Sequence, residues 1–139
     1  MLNNIGETLL FISFLAGLIG LYSYFVGIRK KSNLLVSIGT RSILAIFALL
    51  SISVLVLIYL LTTKDYSNAY VAKNISNDLS FIYSIAALWA GQEGSLLLWS
   101  WILSLYTLTI RFSKPFKSLL PSSESVSLFI LSFFIFLIV

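Results

Sequence analysis

Glu93 is the residue of this sequence best placed to do chemistry, because it is the only charged residue between Leu79 and Ile110. A carboxylate within a membrane-embedded stretch can contact a partner charge or a substrate. It can equally be structural, since the helix dipole and the free N–H groups of a first helical turn both favour a carboxylate. The sequence favours the structural role for Glu93 and leaves the functional role open.

The residues around Glu93 form a compact motif of glycine, serine and tryptophan. Gly91 and Gly94 are expected to permit a sharp turn and a close helix contact. Trp89 and Trp99 are typical of anchors at a membrane boundary. The motif residues, whether structural or functional, are Trp89, Gly91, Glu93, Gly94, Ser95 and Trp99.

The residue types that the chain lacks exclude several kinds of site. There is no Cys and no His, and the single Met is Met1. Thiolate metal sites, disulfides and a Ser-His nucleophile therefore cannot be built from this chain. We predict no catalytic residue, no metal site and no confident cofactor-binding residue.

The composition indicates an all-α, multi-spanning membrane protein. Hydrophobic residues make up 59% of the 139 residues, and charged residues 10%, against about 25% in a soluble domain. The net charge of +4 suggests nucleic acid at first sight. The cations, however, cluster at the ends of apolar runs, which is typical of membrane topology, so we predict no nucleic-acid partner and a lipid bilayer instead.

Apolar runs of about 20 residues, the length needed to cross a bilayer, define the expected spans. We predict three full spans plus a truncated fourth, because the last run, Ser125 to Val139, is too short to cross. Residues 1–139 are accordingly expected to be the N-terminal transmembrane portion of a longer membrane protein. The predicted spans cover about residues 8–28, 42–63, 94–112 and 125–139, with an outer loop at 64–93.

The stretch from Leu79 to Ile110 is too long for one span and is expected to break at Gly91–Ser95. The segment before the break, Ser80 to Ala90, is predicted to lie in the membrane interface. Its apolar face would hold Phe81, Ile85, Leu88 and Trp89, and its opposite face Ser80, Tyr83, Ser84 and Ala87.

The loop charges predict the orientation, because Lys and Arg mark the cytoplasmic side. The first loop holds four cations, and the third holds Arg111, Lys114 and Lys117 with Glu124. The second loop, Lys64 to Asp78, has two cations balanced by two anions. We therefore expect the N-terminus and the second loop to lie outside. An aromatic belt at that boundary would comprise Tyr59, Tyr66, Tyr70, Trp89 and Trp99.

The stretch from Leu88 to Trp99, LWAGQEGSLLLW, resembles the N-terminal region of the CcmF/NrfE family of cytochrome c maturation haem lyases. Tyr70-Val71-Ala72, the stretch from Leu79 to Ala87 and the opening Ile5-Gly6-Glu7 are also similar to that family. The resemblance covers nearly the whole chain. Family members are several times longer, and their tryptophan-rich segment and haem-ligating histidines lie downstream of the region found here.

The resemblance implies the membrane part of a System I haem lyase in a bacterial inner membrane, with its functional face periplasmic. Haem is then the cofactor, with ligands expected outside this chain. The implied partners are a membrane-tethered haem chaperone of the CcmE type, apocytochrome c and its thiol-reducing partners. Whether the chain is an enzyme stays open, since the full-length family acts as a haem lyase and this portion alone is expected to be inactive.

Two other classes of function remain open. In the first, the chain is an ion- or proton-handling transporter subunit with Glu93 as the relay. The first two spans contain only Ser, Thr, Gly and Tyr as polar or small breaks, and this counts against transport. In the second, it is a membrane scaffold or assembly subunit without a site.

Overall fold

The computed structural model describes residues 2–112 and 120–139, and its described part is helical with no strand, which confirms the all-α prediction. Of the four long helices, the first two are joined by a short turn, and the second is joined to the next long helix by a longer connecting segment, residues 64–91. Two short helices and a 3-10 turn, Ala87–Trp89, lie within that segment. The helices are α1 (Leu2–Arg29), α2 (Asn33–Thr63), α3 (Ala69–Asn74), α4 (Phe81–Ala86), α5 (Gln92–Phe112) and α6 (Leu120–Ile138).

Three helices of the described chain, α1, α2 and α6, are long and apolar enough to cross a membrane. Helix α5 also has the length of a span at 21 residues, but it is less apolar because five Ser and Thr residues and two charges lie along it. The sequence prediction counted α5 as a full span and α6 as truncated. Helix α6 is longer than the predicted truncated span because it begins at Leu120, five residues before the predicted start.

The long helices extend past the predicted spans wherever a single charge had been taken as the boundary. Arg41 lies inside α2, which begins at Asn33, and Glu124 lies inside α6. One charge ends an apolar run in the sequence but does not end a helix. The Glu124 side chain finds polar partners inside the bundle, whereas the Arg41 side chain lies exposed on its surface. Lys114 and Lys117 of the predicted third loop lie outside the described residues.

The four long helices pack in a ring, with α1 against α2 and α6, and α5 against α6 and α2. Apolar side chains of α2 form the centre of the core, including Ile43, Ile46 and Leu50, all at most 1% exposed. Close approach of α1 and α2 depends on Gly39, where an added Cβ would come within 2.6 Å of the Tyr24 ring. The ring places the start of α1 and the connecting segment at the same end of the bundle.

Serine and threonine side chains inside the bundle are hydrogen-bonded mostly to their own helices. Ser53 donates to the carbonyl of Leu49 at 3.0 Å, and Ser100 donates to that of Leu96 at 2.8 Å. Such bonds to the preceding turn satisfy a hydroxyl where no water is present. The buried hydroxyls of α2 and α5 are therefore compatible with a membrane-spanning bundle.

Candidate functional site

The connecting segment is ordered by side-chain bonds to its own backbone. Asn68 caps α3, its Oδ1 accepting from the backbone N–H groups of Tyr70 at 2.9 Å and Val71 at 3.1 Å. Lys64 adopts a left-handed conformation after α2, and its Nζ donates to the carbonyls of Asn77 at 2.6 Å and Leu79 at 3.0 Å. These bonds tie the start of the segment to the residues just before α4.

Asp65 forms a second local turn in the segment. Its Oδ1 accepts from the backbone N–H of Ser67 at 3.1 Å. Hydrogen bonds from Ser67 hold the pKa of the Asp65 carboxyl below its usual range, because they favour the charged form. Asp65 is therefore charged at neutral pH, and its carboxylate is held in this turn by the bond from Ser67.

Tyr70 joins α3, through its hydroxyl group, to the motif turn, residues 87–95. The Tyr70 oxygen accepts from the backbone N–H of Gly91 at 3.0 Å. The hydroxyl donates to the carbonyls of Ala87, at 3.0 Å, and Leu88, at 3.2 Å. Burial, with a smaller contribution from the Glu93 charge, raises the pKa of Tyr70 above its usual value of 10.0. Tyr70 was predicted to belong to an aromatic belt, and the structure instead assigns it to the inside of the turn, which only the fold could reveal.

Gly91 and Gly94 lie directly against the Tyr70 ring. A Cβ added at Gly91 would come within 2.6 Å of that ring, and one added at Gly94 would overlap the Tyr70 hydroxyl and the Leu88 carbonyl oxygen. The helical break predicted at Gly91–Ser95 is present but shorter, since α5 already begins at Gln92. The glycines thus allow the Tyr70 hydroxyl to reach the backbone where the chain turns.

Ser95, Trp89 and Trp99 complete the motif on the outer side of the turn. The Ser95 hydroxyl donates to the Trp89 carbonyl at 3.1 Å. The two tryptophan rings meet edge to face at 6.0 Å between centroids, and both are at least half exposed. The turn therefore presents a tryptophan pair on its surface, and the role of this pair as a membrane anchor stays a prediction.

Glu93 lies in the first turn of α5, as the structural interpretation expects. Its side chain is exposed and makes no ion pair with another described residue. It lines an open cleft together with Glu7, Lys73 and Tyr70. Its position is thus compatible with a capping role and also leaves the carboxylate accessible.

Helix α4 and the 3-10 turn leave most of the predicted apolar face exposed, namely Phe81, Ile85 and Trp89, while Leu88 of that face is buried. The interfacial location of this segment stays a prediction. Ser84, Ala87 and Leu88 are buried, whereas Phe81, Ile82 and Tyr83 are at least 66% exposed. The small residues pack inward because α4 and the 3-10 turn lie close against α2. Large apolar side chains are left on the outside, where a soluble protein would place polar ones.

A polar cluster around the buried Glu124 side chain, at the other end of the bundle, was not predicted. The Arg111 guanidinium donates to Glu124 at 3.1 Å and to the Thr40 hydroxyl at 2.9 Å, and the Tyr24 hydroxyl donates to Glu124. The four residues come from the four long helices, and the Glu124 side chain is 3% exposed. Assigning Glu124 to a loop was wrong. Pro121 could have indicated that a helix begins before Glu124, because proline favours the first turn of a helix.

The described residues contain no group of three or more His, Cys, Asp or Glu side chains able to hold a metal ion. The accessible chemistry at this end of the bundle consists of the charged side chains that line the cleft, Glu93, Glu7 and Lys73, and of the exposed tryptophan pair.

A bundle of long apolar helices with internally bonded hydroxyls and a compact polar turn at one end defines a helical protein of the membrane-spanning class. Within that class, the resemblance to the CcmF/NrfE proteins is confirmed, since the curated homologues are cytochrome c-type biogenesis proteins. No protein-family model matches the chain.

Sequence relatives match more than half of the chain. It is 33% identical over 84 residues to the cytochrome c-type biogenesis protein CcmF of Haemophilus influenzae, covering 60% of this chain and 13% of that protein. It is 40% identical over 83 residues to the probable cytochrome c-type biogenesis protein NrfE of Escherichia coli, covering 60% and 15%. The chain thus spans less than a fifth of the length of these relatives.

The fold also matches a solved structure, that of the cytochrome c heme lyase CcmF. The TM-score is 0.89 at 24% identity, and the match covers 97% of this chain and 23% of that one. The arrangement of the helices described above is therefore the arrangement found in part of that protein.

Proposed function

We propose that this chain provides the N-terminal membrane scaffold of a System I haem lyase, which delivers haem and attaches it to apocytochrome c on the outer face of a bacterial inner membrane. The fold match over 97% of the chain, together with the cytochrome c-type biogenesis relatives, supports this proposal most directly. The partners are a haem chaperone of the CcmE type and apocytochrome c with its thiol-reducing partners. A transporter role for Glu93 has no comparable support.

Haem ligation is assigned to residues outside this chain. Haem iron is held by His, Cys, Met or Tyr, and only Tyr is available here apart from Met1. A tyrosinate ligand needs a lowered pKa, whereas the pKa of Tyr70, the tyrosine of the motif turn, is raised and its hydroxyl is already bonded. In this proposal the motif turn holds the connecting segment in place at the start of α5. Trp89 and Trp99 offer an apolar surface beside it.

A chimera tests the proposed function. The aligned segment of the Haemophilus influenzae CcmF is replaced by this chain, and covalent haem in a c-type cytochrome is measured by haem staining. We expect the chimera to mature the cytochrome and a Trp89→Ala, Trp99→Ala version to mature less, with equal amounts of both in the membrane. Full membrane levels of the chimera with no cytochrome formed would contradict the proposal.

The isolated chain provides the control for haem ligation. Purified in detergent from haem-replete cells, it is expected to show no sharp, stoichiometric Soret band. A low-spin Soret band from this chain alone would place a haem ligand within it and remove the assignment of the ligands to other residues.

The proposed orientation predicts that the connecting segment faces outward and the turn between α1 and α2 faces the cytoplasm. The charges of the two loops support this sidedness. Single cysteines at Ser67 and Ser32 are treated on intact cells with a membrane-impermeant thiol reagent. Labelling is expected at the Ser67 position only. Labelling at the Ser32 position with none at Ser67 would show that the orientation is the opposite of the one proposed.

A further inference from the structure

An open cleft of about 300 Å³ lies at the end of the bundle that carries the connecting segment. Its walls come from all four long helices and from α3. The inner wall is mainly apolar and includes Leu10, Leu57, Leu60, Leu97 and Ile138. Charged side chains are confined to the rim, so the cleft is amphipathic.

Three charged side chains line the rim, namely Glu7 of α1, Lys73 of α3 and Glu93 of α5. None of them makes an ion pair with any of the side chains that the structure describes. The nearby Tyr70 hydroxyl is already bonded to the motif turn. The charged groups available to a ligand are therefore two carboxylates and one ammonium.

The position of the cleft restricts the ligand. The start of α1, the end of α2, the start of α5 and the end of α6 all meet there. In a membrane-spanning bundle these helix ends lie at the level of the lipid head groups, with the apolar wall directed toward the hydrocarbon. A suitable ligand has an apolar tail and a small head group that carries both a positive and a negative charge.

We propose that this cleft binds a phospholipid with a primary-amine head group, such as phosphatidylethanolamine. The ammonium group donates to the carboxylates of Glu7 and Glu93, and the phosphate accepts from Lys73. Charge-assisted hydrogen bonds of this kind are stronger than neutral ones. A choline head group carries the same charges but no N–H donor, and a glycerol head group offers no cation to the two carboxylates.

The lipid would connect α1, α3 and α5 through charges that do not pair with each other. It would thereby hold the connecting segment against the bundle in addition to the hydrogen bonds of Tyr70. This inference concerns the membrane anchoring of the motif turn and goes beyond the proposed function, on which it does not depend.

Lipid binding to the full chain in detergent tests the proposal. Dioleoyl phosphatidylethanolamine, phosphatidylcholine and phosphatidylglycerol are titrated, with bound lipid counted by native mass spectrometry and unfolding followed by tryptophan fluorescence. The ethanolamine lipid is expected to bind about tenfold more tightly than the choline lipid, the effect of one or two charge-assisted hydrogen bonds. It should also raise the unfolding temperature.

The matched variants locate the site. Glu7→Gln combined with Glu93→Gln should remove the preference for the ethanolamine lipid, and Lys73→Gln should weaken binding of both zwitterionic lipids. Asp78→Asn, at an exposed carboxylate outside the cleft, should change neither. Equal binding of the ethanolamine and choline lipids, or a preference that survives the double substitution, would overturn the proposal. The comparison of lipids on the unchanged chain decides the matter even if a variant fails to fold.

Discussion

Replacing Arg111 with methionine is expected to lower the free energy of unfolding by about 3 kcal/mol, the low end of the range for breaking a buried ion pair. The substitution leaves the Glu124 carboxylate, which is 3% exposed, without its charged partner. The low end applies because the Arg111 side chain is itself 40% exposed. Unfolding of the purified chain by a denaturing detergent, followed by tryptophan fluorescence, measures the loss.

The double variant Arg111→Met, Glu124→Gln separates the ion pair from the packing around it. The introduced glutamine is neutral, and its amide oxygen can still accept from Tyr24, so the double variant should lose only about 1 kcal/mol, the cost of a neutral bond. Arg41→Met is the matched control, since Arg41 is exposed and forms no ion pair among the described residues. If the double variant were as unstable as Arg111→Met, the buried charge would not be the cause.

Replacing Gly94 with alanine is expected to disrupt the motif turn at a cost of about 1–3 kcal/mol, as for other overpacking substitutions. The new methyl group would overlap the Leu88 carbonyl oxygen, which is backbone and cannot simply rotate away. The connecting segment should loosen, and cleavage by trypsin after Lys73 should become faster. Gly6→Ala is the control, because nothing lies within 4 Å of a Cβ at that position.

Tyr70→Phe removes the hydroxyl while keeping the ring, and so tests the hydrogen bonds between Tyr70 and the motif turn. It should cost about 1–3 kcal/mol, because the N–H of Gly91 loses its acceptor. Combined with Gly94→Ala, the total loss should be less than the sum of the two, since one overlap of the methyl group is with that hydroxyl. Simple additivity, or unchanged trypsin cleavage in Gly94→Ala, would show that Tyr70 and Gly94 do not act together.

The helical break before α5 shows which features of the fold local sequence patterns can predict. Two glycines within an overlong apolar stretch predicted an interruption before α5, and the structure has one at Ala90 and Gly91. The sequence did not reveal that Tyr70, 21 positions before Gly91, supplies the hydroxyl that holds the turn. A contact between residues so far apart leaves no periodic or compositional trace.

The sequence by itself determined the class of the protein and the motif, because apolar length, charge scarcity and the spacing of Trp89, Glu93 and Trp99 are local properties. Only the tertiary structure decided which polar residues are partners. Tyr24, Thr40, Arg111 and Glu124 lie on four helices, and their contacts exist only once α1, α2, α5 and α6 have packed into a ring. The side of α4 that packs inward was decided in the same way, since Ser84 is buried where α4 lies against α2 whereas the large side chains of Phe81 and Tyr83 stay exposed. In a membrane, hydrophobicity no longer distinguishes inside from outside, so packing and hydrogen bonding make that choice.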